Sequence, residues 1–460
     1  MQASIAAGHP ATTAAGIEIL AEGGSAADAA VAACLASCVA ETVMTGLLGG
    51  GHAIYFDAAS GRARNLDCFV AVPGLGAELR TPELVHLDVP FGAELVHYAI
   101  GPASCAVPGL PAGLEALWRA HGRLPWPVLA APALELAREG VELPPAHASC
   151  LEMLAPVMTM NEGAGIYAPG GRLLQAGDVL RQPGLVTVLE AVAEEQSPFY
   201  AGSIARELVL LAEERGGLLT RADLEGYEAR WSEPVELPYL EGRLLTRAGV
   251  SGLPEVVPRL PRLRGVGETE RVLLLVDVFE APPTGGGDTT NITVVDREGN
   301  ACVLTTSLGL GSGDFLPGCD LHLNSMLGEA DLIRGRLVPG ERMQSMMAPT
   351  LAVDGAGLSL AAGAAGGTRL RTALLGVVAG ILDEGLAPDA AVARPRFHPA
   401  PDVVNAEPGV DETALATLEA RGRPVRRWPA PHHYFGGVSV LSRTGIAADP
   451  RRNGVAATVP

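Results

Sequence analysis

The sequence predicts a globular protein of mixed α and β structure, an α+β fold. Apolar residues recur at helical spacing in three segments of the first half of the chain, residues 113–119, 128–139 and 204–214. Short runs of apolar and β-branched residues, bounded by glycines and turn residues, lie toward both ends and are typical of strands. Hydrophobic residues fill 48% of the 460 positions and charged residues 18%, which favours a packed core over disorder.

The first well-marked element is an Ala-rich helix over residues 26–38. Ser25 precedes this segment and Asp28 follows three positions later, which is the capping-box pattern of a helix start. The segment is short and contains Asp28, so we expect a buried helix and not a membrane span. A glycine-rich stretch at 45–51 then leads into an apolar run at 52–56 that predicts a strand. These glycines indicate either a tight helix-to-strand turn or a close approach of two backbones.

The C-terminal part is predicted to hold a β-hairpin, then further strands and a helix. Residues 291–295 and 301–306 predict the paired strands, with a turn at 296–300. Strands at 350–353, 358–362 and 437–441 follow, with a helix at 370–384 that ends near Gly385. Ahead of the hairpin, residues 233–283 are dense in Pro, Gly and Arg, with one apolar run at 272–276, so we expect little extended order there. Residues 284–288, Thr-Gly-Gly-Gly-Asp, form a flexible approach to the hairpin.

Composition argues against several classes of function. The formal net charge is −19, from 33 basic and 52 acidic residues, so neither nucleic acid nor an anionic lipid surface is an expected partner. The seven cysteines are odd in number and form no Cys-x-x-Cys pair, which indicates buried apolar residues rather than a disulfide framework. The chain starts without a cationic head or a sustained apolar stretch, so we expect a cytoplasmic protein without a signal peptide. His432-His433 is the only adjacent histidine pair and no metalloprotease motif accompanies it, so no metal or other cofactor is predicted.

The chemistry is predicted at Thr289, directly after the glycine tract. A threonine hydroxyl is a weak nucleophile, and one solution is to make the threonine the first residue of a chain, so that its own α-amine acts as general base. An internal threonine reaches that state only by self-cleavage. The hydroxyl would attack the carbonyl of Asp288 to form an ester, and water would then release the new amino terminus. The other interpretation of these residues alone is a plain loop that enters a hairpin.

The segment around Thr289 also carries a family resemblance. Residues 289–300 are Thr-Thr-Asn-Ile-Thr-Val-Val-Asp-Arg-Glu-Gly-Asn. They are similar to the pattern Thr-Thr-His-x-Ser-Val-Val-Asp-x-x-Gly-Asn, whose first threonine is the nucleophile. Other blocks occur in the same order over almost the whole chain except about residues 233–284, among them residues 27–32, Glu41, 46–51, 107–109, 132–140, 199–202, 366–367, 395–398 and 449–452. By these blocks the chain resembles the γ-glutamyltranspeptidase family of N-terminal-nucleophile hydrolases.

The resemblance implies a fold, a maturation step and a set of catalytic residues. The fold would be a four-layer αββα sandwich, two stacked antiparallel sheets with helices outside. Self-cleavage between Asp288 and Thr289 would give fragments 1–288 and 289–460, which stay paired as one domain. Thr289 would be the nucleophile, and Ser307 would supply a hydroxyl that hydrogen-bonds it. The backbone N–H groups of Gly366 and Gly367 would form the oxyanion hole, which contributes on the order of 3 kcal/mol per donor.

The substrate-binding positions depart from the family pattern. Where the family has an arginine that grips the α-carboxylate of the γ-glutamyl group, this chain has Phe69, and an aromatic ring cannot form a bidentate ion pair. The segment that holds the substrate amine keeps an acid as Glu329, with Met326 in place of a polar residue, and the family's serine pair becomes Ser345-Met346. Losing one buried charge-assisted contact costs about 1.5–3 kcal/mol, roughly ten- to hundredfold in affinity. We therefore expect a smaller or more apolar acyl pocket lined by Phe69, Met326 and Met346, the alternative being that these three are ordinary core residues.

Further differences lie close to these positions. The residue after the paired threonines is Asn291 where the family has a histidine, and Gly309 replaces an asparagine. No neighbouring arginine takes over from the missing one, because Arg64 lies upstream of Phe69 and Arg80 lies well downstream.

Three functions are compatible with these residues. The family default is hydrolysis or transfer of γ-glutamyl groups from glutathione and related compounds, with water or an amino acid as acceptor. An amidohydrolase acting on a different small-molecule amide, such as oxamate or another small acyl amide, is favoured by the loss of the arginine. The third is a binding or structural relic that never matures, and the retention of Thr289, Ser307 and the Gly366-Gly367 pair argues against it.

Overall fold

The computed structural model describes residues 1–78, 83–91, 94–195, 198–280, 289–333 and 335–460. None of the helices in these ranges is long and apolar enough to span a bilayer. The α-helices of the described residues are α1 Pro10–Ala21, α2 Ala26–Ala40, α3 Leu110–His121, α4 Trp126–Glu139, α5 Pro145–Met158, α6 Gly163–Tyr167, α7 Gly184–Glu195, α8 Ser203–Arg215, α9 Arg221–Glu225, α10 Leu253–Val256, α11 Glu268–Phe279, α12 Leu370–Leu382, α13 Pro388–Ala393 and α14 Glu412–Ala420. The strands are β1 Ser4–Ala7, β2 Gly50–Asp57, β3 Arg62–Cys68, β4 Val85–Phe91, β5 Glu94–Ile100, β6 Val141–Glu142, β7 Val179–Leu180, β8 Arg230–Ser232, β9 Val235–Tyr239, β10 Gly242–Thr246, β11 Thr290–Val295, β12 Ala301–Ser307, β13 Phe315–Leu316, β14 Leu321–His322, β15 Thr350–Asp354, β16 Gly357–Ala365, β17 Phe397–Pro399, β18 Val404–Ala406, β19 Val425–Arg427, β20 Gly437–Ser442, β21 Gly445–Ala448 and β22 Val455–Thr458.

Two large antiparallel sheets organise the molecule. The first has the strand order β22-β1-β11-β12-β2-β3-β8, and the second has the order β21-β20-β16-β15-β10-β9. In the first sheet β1 pairs with β22 on one side and with β11 on the other, so N-terminal and C-terminal strands are direct neighbours. Each sheet is therefore built from segments on both sides of residue 288.

The two sheets stack face to face and are covered by helices on their outer faces. Their inner faces share an apolar cluster that includes Ile54 and Val303 from the first sheet and Leu351 and Leu441 from the second. Helix α2 contacts β11 and β12 on the outer face of the first sheet, while α12 contacts β16 and β20 on the outer face of the second. The described residues thus form four layers, and the predicted αββα sandwich is confirmed.

Helix α2 begins where the capping box predicts. The Ser25 hydroxyl accepts a hydrogen bond from the Asp28 N–H at 3.1 Å, and the Asp28 carboxylate accepts one from the Ser25 N–H at 2.9 Å. Every residue of α2 is buried. The many alanines follow from this position, because small side chains let the helix approach the sheet and its neighbours α1 and α4 closely.

The expectation of little order at residues 233–283 is wrong for the part that the structure describes. β9 and β10 pair at the edge of the second sheet, and α11 is a regular helix of 12 residues. The Pro- and Arg-rich stretch between them is ordered by tertiary packing, with Leu253, Val256 and Leu263 buried in the core. The local composition of this stretch gives no indication of these long-range contacts. Residues 281–288, which include the glycine tract, lie outside the described residues.

Candidate active site

Thr289 lies immediately before β11, at the end of a central strand of the first sheet. The run from Thr290 to Val295 is β-branched at five of its six positions and buried throughout, which fixes the strand between β1 and β12. Thr289 itself is 6% exposed. The predicted nucleophile is therefore held by rigid structure on its C-terminal side.

The glycine pair lies against the Thr289 hydroxyl. β16 ends at Ala365, and Gly366 and Gly367 follow with φ angles of +126° and +55°, a region that favours glycine. The Gly366 N–H donates a hydrogen bond to Thr289 Oγ1 at 2.8 Å. A Cβ atom on Gly366 would lie 2.8 Å from Gly436 Cα, so the close contact of these two backbones also requires glycine.

Two buried charged side chains hydrogen-bond to Thr289 and Thr290. Arg452 Nη1 donates to the Thr289 carbonyl at 3.2 Å, and its Nη2 donates to the His433 carbonyl at 3.4 Å. On the next residue, the Thr290 hydroxyl donates to Glu41 Oε2 at 2.6 Å. Glu41 belongs to a block that the resemblance includes, but the contact of Arg452 with Thr289 was not predicted, because 163 residues separate the two in the chain.

A small cavity of about 30 Å³ opens beside Thr289. It contains the predicted nucleophile together with Ser307, Gly367 and all five predicted substrate-binding residues. Its lining consists of Phe69, Thr289, Ser307, Met326, Glu329, Leu332, Ser345, Met346, Met347, Gly367 and Leu370. Of the remaining predicted residues, Gly366 contacts Thr289 directly, and Asp288 lies outside the described residues.

The cavity lining is mostly apolar, with three hydroxyl side chains and one carboxylate. Glu329, which is 5% exposed, is the only ionisable side chain among the lining residues that the structure describes. Phe69 is 1% exposed and its ring stacks on His52, with the ring centroids 5.5 Å apart. Burial lowers the pKa of His52 well below its usual value, helped by the charges of Arg247 and Arg342, so this ring is neutral near pH 7.

The nearby arginines are engaged outside the cavity. Arg247 donates to the carbonyls of Ser345 and Met347, and burial lowers its pKa to about 10. Arg342 donates to the Phe69 carbonyl and lies over the Tyr227 ring. Arg64 lies over Trp231, with its guanidinium carbon 5.0 Å from the ring centroid. Arg80 lies outside the described residues.

Gly309 makes room for Glu329. Gly309 has a φ angle of +72°, and a Cβ atom there would lie 2.7 Å from both Glu329 Oε1 and Ser325 Oγ. Its N–H donates to the Ser307 hydroxyl at 2.9 Å. A side chain at position 309 would therefore require the Glu329 carboxylate and the Ser325 hydroxyl to shift.

Asn291 and the pair His432-His433 are held in place by hydrogen bonds and by burial. The Asn291 amide donates to Thr305 Oγ1 at 2.8 Å and its oxygen accepts from the Thr293 hydroxyl at 3.0 Å, so Asn291 is satisfied between the sheets. His432 Nδ1 accepts from the Tyr434 N–H, and His433 is buried. Within the described ranges no three His, Cys, Asp or Glu side chains converge as metal ligands do.

Comparison with known proteins agrees with this architecture. The gamma-glutamyltranspeptidase family model matches residues 12–257 and 275–459. The acylase ACY 1 proenzyme of Pseudomonas sp. (strain V22) is 29% identical over 488 residues, covering 92% of this chain and 87% of its own length. The glutathione hydrolase proenzyme of Escherichia coli (strain K12) is 26% identical over 503 residues, covering 92% and 86%. The crystal structure of cephalosporin acylase from Bacillus halodurans superposes with a TM-score of 0.84 at 22% identity, over 99% of this chain and 95% of that one.

The family match includes every strand of the two sheets except β1, and every candidate residue from Phe69 to Arg452 that the structure describes. Residues 258–274, which fall between the two matched ranges, lie inside the segment where the resemblance is weak. Members of this family are N-terminal-nucleophile hydrolases that act on amide bonds. The chain belongs to the gamma-glutamyltranspeptidase family.

Proposed function

We propose that this chain is a self-processing threonine amidohydrolase whose acyl pocket takes groups without the α-carboxylate of a γ-glutamyl substrate. The observation that carries the proposal is the lining of the cavity beside Thr289, where Glu329 is the only ionisable side chain among the described residues. A substrate carboxylate that entered this cavity would lose hydration without gaining a cation from the described lining residues, and it would lie near the Glu329 carboxylate. Desolvating an unpaired charge is costly, so such substrates should bind poorly.

Maturation would begin with the Thr289 hydroxyl. Oγ1 attacks the carbonyl carbon of Asp288, the peptide C–N bond breaks, the hydroxyl proton passes to the Thr289 nitrogen, and the Asp288 acyl group is left on Oγ1 as an ester. The break of the C–N bond frees the Thr289 amine, and water then hydrolyses the ester, giving a new carboxylate on Asp288 and restoring the Thr289 hydroxyl. Support comes from the hydrogen bond that Gly366 already makes to Oγ1 and from the proenzyme names of the relatives.

The two fragments would stay associated after the cut. β1 of fragment 1–288 lies between β11 and β22 of fragment 289–460, and each pairing is a regular antiparallel ladder. Separating the fragments would expose both sheets and the core between them, at a large hydrophobic cost.

Turnover would use the same groups. The free amine of Thr289 takes the hydroxyl proton while Oγ1 attacks the substrate amide carbon. The resulting oxyanion accepts hydrogen bonds from the N–H groups of Gly366 and Gly367. The C–N bond of the substrate then breaks, the proton leaves with the amine product, and water hydrolyses the acyl-enzyme with the Thr289 amine again as base. Ser307, in the same cavity, would donate to Oγ1.

Glu329 indicates which acyl groups would be preferred. Its buried carboxylate would pair with an ammonium group, while Phe69 and the methionines Met326, Met346 and Met347 would contact an apolar chain. The similarity to a relative named acylase ACY 1 supports hydrolysis of an acyl amide. The same carboxylate would also hold the amine of a γ-glutamyl group. Because other relatives are named glutathione hydrolase, hydrolysis of γ-glutamyl compounds is the second candidate function.

Four anilides that differ only in two groups test the proposal. γ-Glutamyl anilide carries both an α-amine and an α-carboxylate, 4-aminobutyryl anilide lacks the carboxylate, glutaryl anilide lacks the amine, and butyryl anilide lacks both. We expect kcat/KM to be highest for the 4-aminobutyryl compound and lower when a carboxylate is present with or without the amine. A kcat/KM for γ-glutamyl anilide that is ten- to hundredfold higher than for the 4-aminobutyryl compound would contradict the proposal. One charge-assisted contact changes affinity by roughly that factor.

A further inference from the structure

The hairpin formed by β4 and β5 carries histidines on its outer face. In the antiparallel register His97 lies opposite Asp88, and His86 lies opposite Ala99, so His86 and His97 are diagonal neighbours across the two strands. The inner face is anchored in the core through Val89 and Tyr98, which are 1% and 2% exposed. Strand alternation therefore fixes His86, Asp88 and His97 on the side that faces solvent.

The three side chains are already in contact. His86 Nδ1 and His97 Nε2 are 3.2 Å apart, and His97 Nδ1 lies 2.9 Å from Asp88 Oδ1. The two rings are nearly parallel, at 13°, with centroids 5.3 Å apart. The side chains of His97 and Asp88 are 63% and 61% exposed, so an ion from solvent reaches them without any opening of the protein.

We propose that His86 and His97 bind a divalent transition-metal ion of the Zn²⁺ class, with Asp88 orienting His97. Two imidazole nitrogens that bind one tetrahedral Zn²⁺ at 2.0–2.1 Å lie about 3.3 Å apart, close to the separation seen between these rings. A carboxylate on the far nitrogen of a metal-binding histidine fixes the tautomer and raises the basicity of the ligand. In this site Asp88 is the carboxylate that contacts the far nitrogen, Nδ1, of His97.

The tautomers allow both nitrogens to act as ligands. When His97 donates its Nδ1–H to Asp88, its Nε2 carries the lone pair. His86 presents the Nδ1 lone pair once its own proton moves to Nε2 on the other side of the ring, and no net proton is lost. Asp88 contacts the far nitrogen of His97, and the described residues offer no set of three metal-ligating side chains, so water would fill the other positions and the ion would bind reversibly.

The sequence alone does not predict this site, because the site depends on strand register. The histidines are 11 positions apart, and only the antiparallel pairing brings them together. The proposal is independent of the amide chemistry, because none of the three residues lines the cavity beside Thr289.

Calorimetric titration of the full-length protein with Zn²⁺ and with Ni²⁺ tests the proposal. We expect the unmodified protein to bind one equivalent more than the His86→Ala/His97→Ala double variant. Asp88→Asn should retain that equivalent with affinity lower by roughly tenfold, as for loss of an outer hydrogen-bond partner. Leu95→Ser, on an exposed residue of the same hairpin, is the matched control and should bind as the unmodified protein does.

Equal stoichiometry in the unmodified protein and a double variant with unchanged circular dichroism would overturn the proposal. The histidines would then be an ordinary hydrogen-bonded pair. Metal that binds elsewhere, for instance at His432 and His433, is present in all variants and cancels in the comparison.

Discussion

The N–H of Gly366 donates to the side-chain oxygen of Thr289 across the ends of the two sheets. Thr289 leads into β11 of the first sheet, and Gly366 follows β16 of the second. The nucleophile is thus held by the stacking of the sheets, before any cut is made. A donor on this oxygen occupies a lone pair and leaves the hydroxyl proton available to a base.

Replacing Gly366 with alanine should remove most activity. The added Cβ would lie 2.8 Å from Gly436 Cα, and alanine is strained at a φ of +126°, so the N–H would turn away from Oγ1. We expect kcat to fall by roughly 10²–10³, the loss typical of one oxyanion donor. Gly376→Ala is the control, because that glycine lies in α12 with open space around its Cβ position. The control should keep full activity and gain up to about 1 kcal/mol in free energy of unfolding, and equal kinetics for the two variants would exclude the oxyanion role.

An arginine at position 69 should move specificity toward γ-glutamyl substrates. Phe69 forms a wall of the cavity, and a guanidinium there would pair with an α-carboxylate. We expect the ratio of kcat/KM for γ-glutamyl anilide over 4-aminobutyryl anilide to rise about tenfold or more in Phe69→Arg. Phe69→Leu, which changes the shape without adding charge, should leave that ratio near its original value. A ratio that changes equally in both variants would mean that only shape matters at this position.

Arg452 should act as a positioning residue for the nucleophile. It holds the Thr289 carbonyl, and Arg452→Met would leave that buried group without this donor. Losing such a charged hydrogen bond costs about 1.5–3 kcal/mol, so we expect slower self-cleavage and a kcat lowered ten- to hundredfold with little change in KM. Arg452→Lys should recover part of the loss. Arg443→Met removes a partly exposed ion pair with Asp354 and serves as the control, with kinetics close to those of the unmodified protein.

Buried histidines should make the free energy of unfolding fall as the solution becomes acidic. Burial lowers the pKa of His9 to about 4, from an ordinary value near 6.5, and the ring accepts a hydrogen bond from the Ala11 N–H at the start of α1. Between those two pH values the unfolded chain binds a proton that the folded protein does not. Stability is therefore complete above about pH 6.5 and is lost as the pH falls toward 4, by about 3 kcal/mol for this residue.

His322 and His398, whose pKa values burial lowers to about 3, act in the same direction. Urea unfolding at pH 7 and pH 5 measures the difference. His9→Asn keeps a helix-capping side chain without a titrating group, so it should show a smaller loss of stability at pH 5. A loss equal to that of the unmodified protein would rule out His9 as a contributor.

The sequence was informative where structure is local. The capping box of Ser25 and Asp28 and the hairpin after Thr289 are short-range patterns, and each lies in the structure within a few residues of its predicted position. The family resemblance predicted the four-layer arrangement, which the periodicity of apolar residues alone did not predict. It also supplied the residues that line the cavity, since their positions in the chain follow the family order.

The features that sequence missed all depend on long-range contacts. The order in β9, β10 and α11 comes from packing against the second sheet and not from the local Pro- and Arg-rich composition. The contact of Arg452 with Thr289 joins distant parts of the chain, and its only signal was the second arginine of the Asp-Pro-Arg-Arg block. The space between Gly309 and Glu329 likewise becomes visible only once both are placed in three dimensions.

Mass spectrometry of the purified protein, with sequencing of the smaller fragment, shows whether Thr289 becomes an amino terminus. We expect two fragments of 288 and 172 residues, the smaller of which begins with Thr289. Thr289→Ala should leave the chain whole and inactive, while Thr289→Ser should still be cut. Amide hydrolysis by an intact 460-residue chain, or by the alanine variant, would rule out Thr289 as an N-terminal nucleophile.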